Sequence, residues 1–200
     1  MNPFKLTILT AFMLTALSFA FSRVDIAQAA DNGLIRWDII HVDITSTPPV
    51  LTAGGHTSAA ALDASSITLT GSGTFRSNPG KPQAVTGGGT WSTSIGGSGN
   101  YEVTGFVSFI EGAPLEGVVD DVCDACTLAN SRTGLAVLKV AFDDGSDGVL
   151  ILSCAPEPQG AVFEGITVSK GFVDYFEPDS GDPGNGNATE FHHLLPHNLD

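Results

Sequence analysis

From Leu34 onward, apolar side chains in this sequence recur at every second position, and the three-to-four-residue spacing of an amphipathic helix is almost absent. Alternation has one mechanical meaning. Successive side chains of an extended strand point to opposite faces, so a period of two buries one face and wets the other. Ile67, Leu69 and Phe75 share one parity, while Ser66, Thr68, Thr70, Ser72 and Thr74 hold the other. Tyr101, Val103, Val107 and Phe109 repeat the pattern. Val85, Trp91, Thr93 and Ile95 suggest a third strand, and Ile166, Val168 and Phe172 a fourth. The expectation is an all-β fold.

Leu34 to Ile44 departs from strict alternation, because Ile35, Trp37 and Ile39 lie on odd positions and Ile40, Val42 and Ile44 on even ones. One extra residue between Ile39 and Ile40, a β-bulge, would turn both halves to the core; the alternative is a strand buried on both faces. Leu135 to Phe142 and Val149 to Cys154 flank Asp143-Asp144-Gly145-Ser146-Asp147-Gly148, a hairpin sequence because Asp and Gly tolerate the backbone of tight turns. The unbroken run Val149 to Leu152 predicts a central strand covered on both faces.

Three segments place glycines ahead of an aromatic: Gly71 and Gly73 before Phe75, Gly87 to Gly89 before Trp91, and Gly97 and Gly99 before Tyr101. Glycine inside a strand serves a sharp bend or a close backbone approach, with a neighbouring aromatic covering the gap. A strongly curved sheet follows: a single antiparallel β-sandwich or small curved β-barrel of about eight to ten strands. The unequal spacing of the three segments excludes a solenoid or propeller.

Met1 to Lys5, the apolar run Leu6 to Phe21 and the small residues of Ala27-Gln28-Ala29 are ordered as in a secretory signal peptide, residues 1–29, cleaved to leave Ala30 first. The apolar run is shorter than the roughly 20 residues that span a bilayer, so no membrane span is expected. Residues 30–200 read as one domain, secreted to an extracellular or periplasmic space. A Gly/Pro/Asp-rich loop falls around 177–187, and Ala188 to Leu195 can return as a last strand.

Eight Lys and Arg against 22 Asp and Glu set a net charge of −14, the wrong sign for neutralising phosphates, and exclude a nucleic-acid partner. The acidity is concentrated from Glu111 to Asp200, where Arg132, Lys139 and Lys170 are the only Lys and Arg. Self-repulsion that keeps a chain soluble is one reading of it, and divalent-cation binding is the other. Asp120, Asp121 and Asp124 form one cluster, and Asp143, Asp144 and Asp147 a second that is a candidate calcium loop, although its spacing is not that of an EF-hand.

Cys123, Cys126 and Cys154 are the disulfide candidates, since export places thiols in an oxidising setting. Cys154 paired to Cys123 or Cys126 is the first expectation, and closure of Cys123 with Cys126 the alternative. The neighbouring aspartates disfavour a redox C-x-x-C, and zinc on the cysteines would need a fourth ligand from His192, His193 or His197 in an apparent tail. The His-rich end from Glu190 to His197 reads either as a weak metal binder or as a terminal strand with alternating exposure.

Arg36, Asp38, His41, Glu164, Lys170 and Asp174 are polar residues within apolar strands. Glu164 and Lys170 share the parity of Ile166 and Val168, so an interior cavity would hold a carboxylate and an ammonium with shifted pKa values. With His41 they are the candidate catalytic set of a cyclase, isomerase or hydrolase. No serine elbow, phosphate loop or dinucleotide fingerprint is present. The leading expectation is therefore a non-catalytic protein that binds a small ligand, glycan or surface partner through its loops.

Overall fold

The computed structural model describes residues 33–77, 84–155, 163–179 and 187–194. The expected signal peptide, His197, Leu195 and the middle of the loop around 177–187 lie outside the described residues. Within them are thirteen strands and no helix, and so no helix long and apolar enough to cross a membrane. In chain order they are β1 (Leu34–Asp43), β2 (Val50–Ala53), β3 (Thr57–Ala61), β4 (Ser66–Leu69), β5 (Ser72–Arg76), β6 (Val85–Thr93) and β7 (Ser98–Pro114). There follow β8 (Val119–Asp121), β9 (Ser131–Phe142), β10 (Asp147–Cys154), β11 (Gly165–Lys170), β12 (Val173–Pro178) and β13 (Asn187–His193). The count exceeds the expected eight to ten because β2, β3 and β8 are short and carry few large apolar residues.

All thirteen strands belong to one sheet, antiparallel except for the parallel pair β2 and β8. Its hydrogen-bonded neighbours run β3, β4, β6, β7, β9, β10, β11, β12, and β12 pairs with β3 again. Beyond β4, β5 continues along β6 and also pairs with β1, while β13 lies between β1 and the start of β9. The principal core gathers Trp37, Phe75, Leu138, Leu150, Ile166 and Phe191. A second, smaller core of Ile40, Leu51, Leu115, Val122 and Cys126 covers the opposite face of β1.

That second core corrects the expected bulge in β1. Ile39 and Ile40 pair with Thr189 and Ala188 in unbroken register, so the strand is buried on both faces. Bulges occur instead in β7, between Val103 and Gly105 and between Phe106 and Ser108. They bring Phe106 against the core and leave Val107 exposed, reversing the expected parity there. Ile95 and Phe172 also leave their expected strands and project from turns. β10 is central, between β9 and β11, yet Val149 remains exposed, so only one of its faces is fully covered.

The glycines do what their placement suggests. At the crossing of β5, β6 and β7 a Cβ on Gly87 (φ +108°) would overlap the Ser72 carbonyl, and one on Gly88 the Tyr101 carbonyl. Only glycine permits that approach. The Tyr101 side chain covers Gly71 beside this crossing, its hydroxyl donating to the Thr70 carbonyl at 2.9 Å.

Candidate functional site

Two regions concentrate the polar chemistry. The first is an end of the sheet built by its turns. Because neighbours in the circuit from β3 to β12 alternate in direction, the β3–β4, β6–β7, β9–β10 and β11–β12 turns all lie at the same end. Leu62 (89% exposed), Ile95 (74%) and the fully exposed Phe172 project from three of them. The turns are tied in two pairs: the Ser94 amide donates to the Ser66 carbonyl and the Gly171 amide to the Asp147 carbonyl, each at 2.9 Å.

The fourth turn carries the expected calcium loop, with two of its three carboxylates, those of Asp143 and Asp144, already engaged. Asp143 accepts from the Asn100 amide at 2.7 Å and from Trp91 Nε1 at 3.0 Å, and these bonds lower its pKa. Asp144 is held at about 2 by Lys170 and then Ser146. Asp147 is exposed at the start of β10. Lys170 ion-pairs with Asp144, donates to Ser146 Oγ at 2.9 Å and lies over the Trp91 ring. This arrangement closes the end of the core with an ammonium and two aspartates.

Glu164 lies just before the other end of β11, six positions from Lys170, or about 20 Å along a strand. Burial raises its pKa to about 7 against the hydrogen bonds from the backbone amides of Thr189 (2.8 Å) and Ala155 (2.6 Å), which favour the carboxylate. His41 is exposed on β1. The structure thus does not bring Glu164, Lys170 and His41 together. A pocket of about 220 Å³ beside Cys154, lined by Ile110, Thr133, Leu135 and Ala155 among others, includes none of the three.

Cys123 and Cys126 form the disulfide, and Cys154 is a buried free thiol, which corrects the expected pairing of Cys154. The reason is spatial: Cys154 packs in the principal core and Cys126 in the second. Burial, and then Glu164 and Glu190, push the Cys154 pKa up and keep the thiol protonated.

The second region is buried between the β1/β13 ladder and β8. Arg36 lies opposite His192 and Asp38 opposite Glu190 across that ladder. Arg36 and Asp38 form a two-bond ion pair, both at 2.7 Å. From β8, Asp120 reaches His192, with Oδ2 2.8 Å from Nε2, while Glu190 Oε1 is 3.3 Å from the same nitrogen and accepts from Ser131 Oγ at 2.8 Å. The side chains of Asp120, Glu190 and His192 are at most 1% exposed. Burial opposes charging of His192, but the hydrogen bonds to Asp120 and Glu190 outweigh it and raise its pKa to about 9. Among the described residues, Glu190 Oε2 and His192 Nδ1 have no hydrogen-bond partner.

The sequence places Glu190 and His192 in a His-rich end and gives no reason to join them to Asp120. Their two-residue spacing on a strand is the available signal, because it sets both side chains on one face, but Asp120 lies far away in the chain. Asp121, Asp124 and Asp174 are exposed, and His193 bonds Glu111 at 2.9 Å. No family model, curated protein or solved structure matches this chain.

Proposed function

We propose that this chain is a secreted, non-catalytic binding protein that recognises an apolar partner surface through the turn-bearing end of its sheet. The observation that carries the reading is the exposure of Leu62, Ile95 and Phe172 on three turns at one end. Large apolar side chains displayed together on tied turns mark interaction sites, because association removes them from water. The separate positions of Glu164, Lys170 and His41 favour binding over chemistry. The return of the pairing from β12 to β3 favours a curved barrel over a sandwich.

The test compares the mature chain with a Leu62→Ser, Ile95→Ser, Phe172→Ser variant on phosphatidylcholine vesicles and on a phenyl-coated sensor. The variant should bind at least tenfold more weakly at an unchanged melting temperature. Equal binding of the two proteins would remove the turn-bearing end from consideration. Secretion is checked by N-terminal sequencing, where Ala30 should be first and retained Met1 would contradict the signal peptide.

A further inference from the structure

We propose that Asp120, Glu190 and His192 form a structural site for a small divalent transition-metal cation of the zinc class, which fastens β8 and its disulfide loop onto the β1/β13 ladder. One ligand atom from each residue can be chosen so that all lie within 4.8 Å of one another. A tetrahedral cation with ligands at roughly 2.0–2.2 Å holds its donors about 3.2–3.6 Å apart. The separations at His192 Nε2, 2.8 Å to Asp120 and 3.3 Å to Glu190, need only small adjustments to meet that spacing.

A separate observation points to a missing ligand. Glu190 is fully buried and its Oε2 has no partner among the described residues, although a buried carboxylate oxygen left bare is costly. The available donors do not suffice. Ser131 donates to Oε1 and His192 Nε2 is shared with Asp120, so Oε2 receives nothing. Arg36 and Asp38 compensate each other, leaving two carboxylates facing one imidazole. A divalent cation supplies both the charge and the electron-pair acceptor that the cluster lacks.

The donor set also selects the ion. Calcium takes about six to eight oxygens, whereas a single imidazole with carboxylates in a closed site suits zinc and its neighbours. Ser131 orients the Glu190 carboxylate, the supporting role that hydrogen bonds commonly play behind metal ligands. Exclusion of solvent makes the site structural. Its ligands come from β8 and β13, so the ion would cross-link segments distant in sequence.

The experiment uses the mature chain, stripped with a chelator and dialysed against zinc, with metal content read by mass spectrometry and thermal unfolding followed at fixed ionic strength. One zinc per chain should be retained, and zinc but not magnesium should raise the melting temperature. Asp120→Asn and His192→Gln should each weaken zinc binding at least tenfold, while His193→Gln with His197→Gln should retain it. Absence of retained zinc in the wild-type chain would overturn the site, as would unchanged binding by folded Asp120→Asn or loss of binding in the His193/His197 variant. The wild-type measurement decides the matter even where a ligand variant fails to fold.

Discussion

The Lys170 ammonium lies 4.1 Å from the centroid of the Trp91 ring and 4.9 Å from that of Phe142. Parity alone directs Lys170 toward the interior, and the structure shows its charged head held at the rim, where Asp144 and Ser146 bind it. Lys170→Met keeps the stem and removes the charge. It should destabilise the domain by about 1–2 kcal/mol, the usual range for a partly desolvated cation over an aromatic ring, measured by urea unfolding. An unchanged midpoint would show that the contact contributes nothing.

Glu164 should make stability fall as pH rises. Its folded pKa, about 7, lies above the ordinary carboxylate value of 4.5, so between those values the folded state binds more protons than the unfolded one. The contribution is fully present below pH 4.5 and is lost by about pH 7, with a slope of at most about 1.4 kcal/mol per pH unit for one proton. Glu164→Gln should flatten this part of the profile in denaturant titrations at several pH values. Parallel profiles for the two proteins would rule the assignment out.

Gly87→Ala should prevent folding or lower stability by more than about 3 kcal/mol, because positive φ and collision with the Ser72 carbonyl act together. Gly96 also has positive φ (+102°), but a Cβ there meets open space. Gly96→Ala should cost only about 1–2 kcal/mol. Circular dichroism melts of both variants test the difference, and equal losses would contradict the close strand crossing.

Cys154 should resist thiol reagents in the native protein and react once the chain is unfolded. One thiol per chain is expected in denaturant without reductant, and three after reduction, since Cys123 and Cys126 are joined. Three reactive thiols without reductant would contradict the disulfide.

Much of the β architecture is readable in local pattern. Ile67, Leu69 and Phe75 are buried as their parity predicts, and the Asp143–Gly148 sequence turns β9 into β10. The errors fall where a pattern has two physical solutions. Ile39 followed by Ile40 fits a bulge or a doubly buried strand, and only the second core, contributed by Leu51, Leu115 and Val122, decides between them. Ile95 and Phe172 continue an alternation, but the chain turns before reaching them.

Period-two patterning, turn chemistry and glycine placement belong to neighbouring residues, and they determined an all-β chain with tight hairpins and close strand crossings. The tertiary structure decided which polar groups meet. Asp120 is brought to His192 by β8 pairing with β2 beside β1, and Glu164 is kept from Lys170 by the length of β11. Such encounters depend on strand order and register across the whole sheet, which the spacing of residues along the chain does not specify.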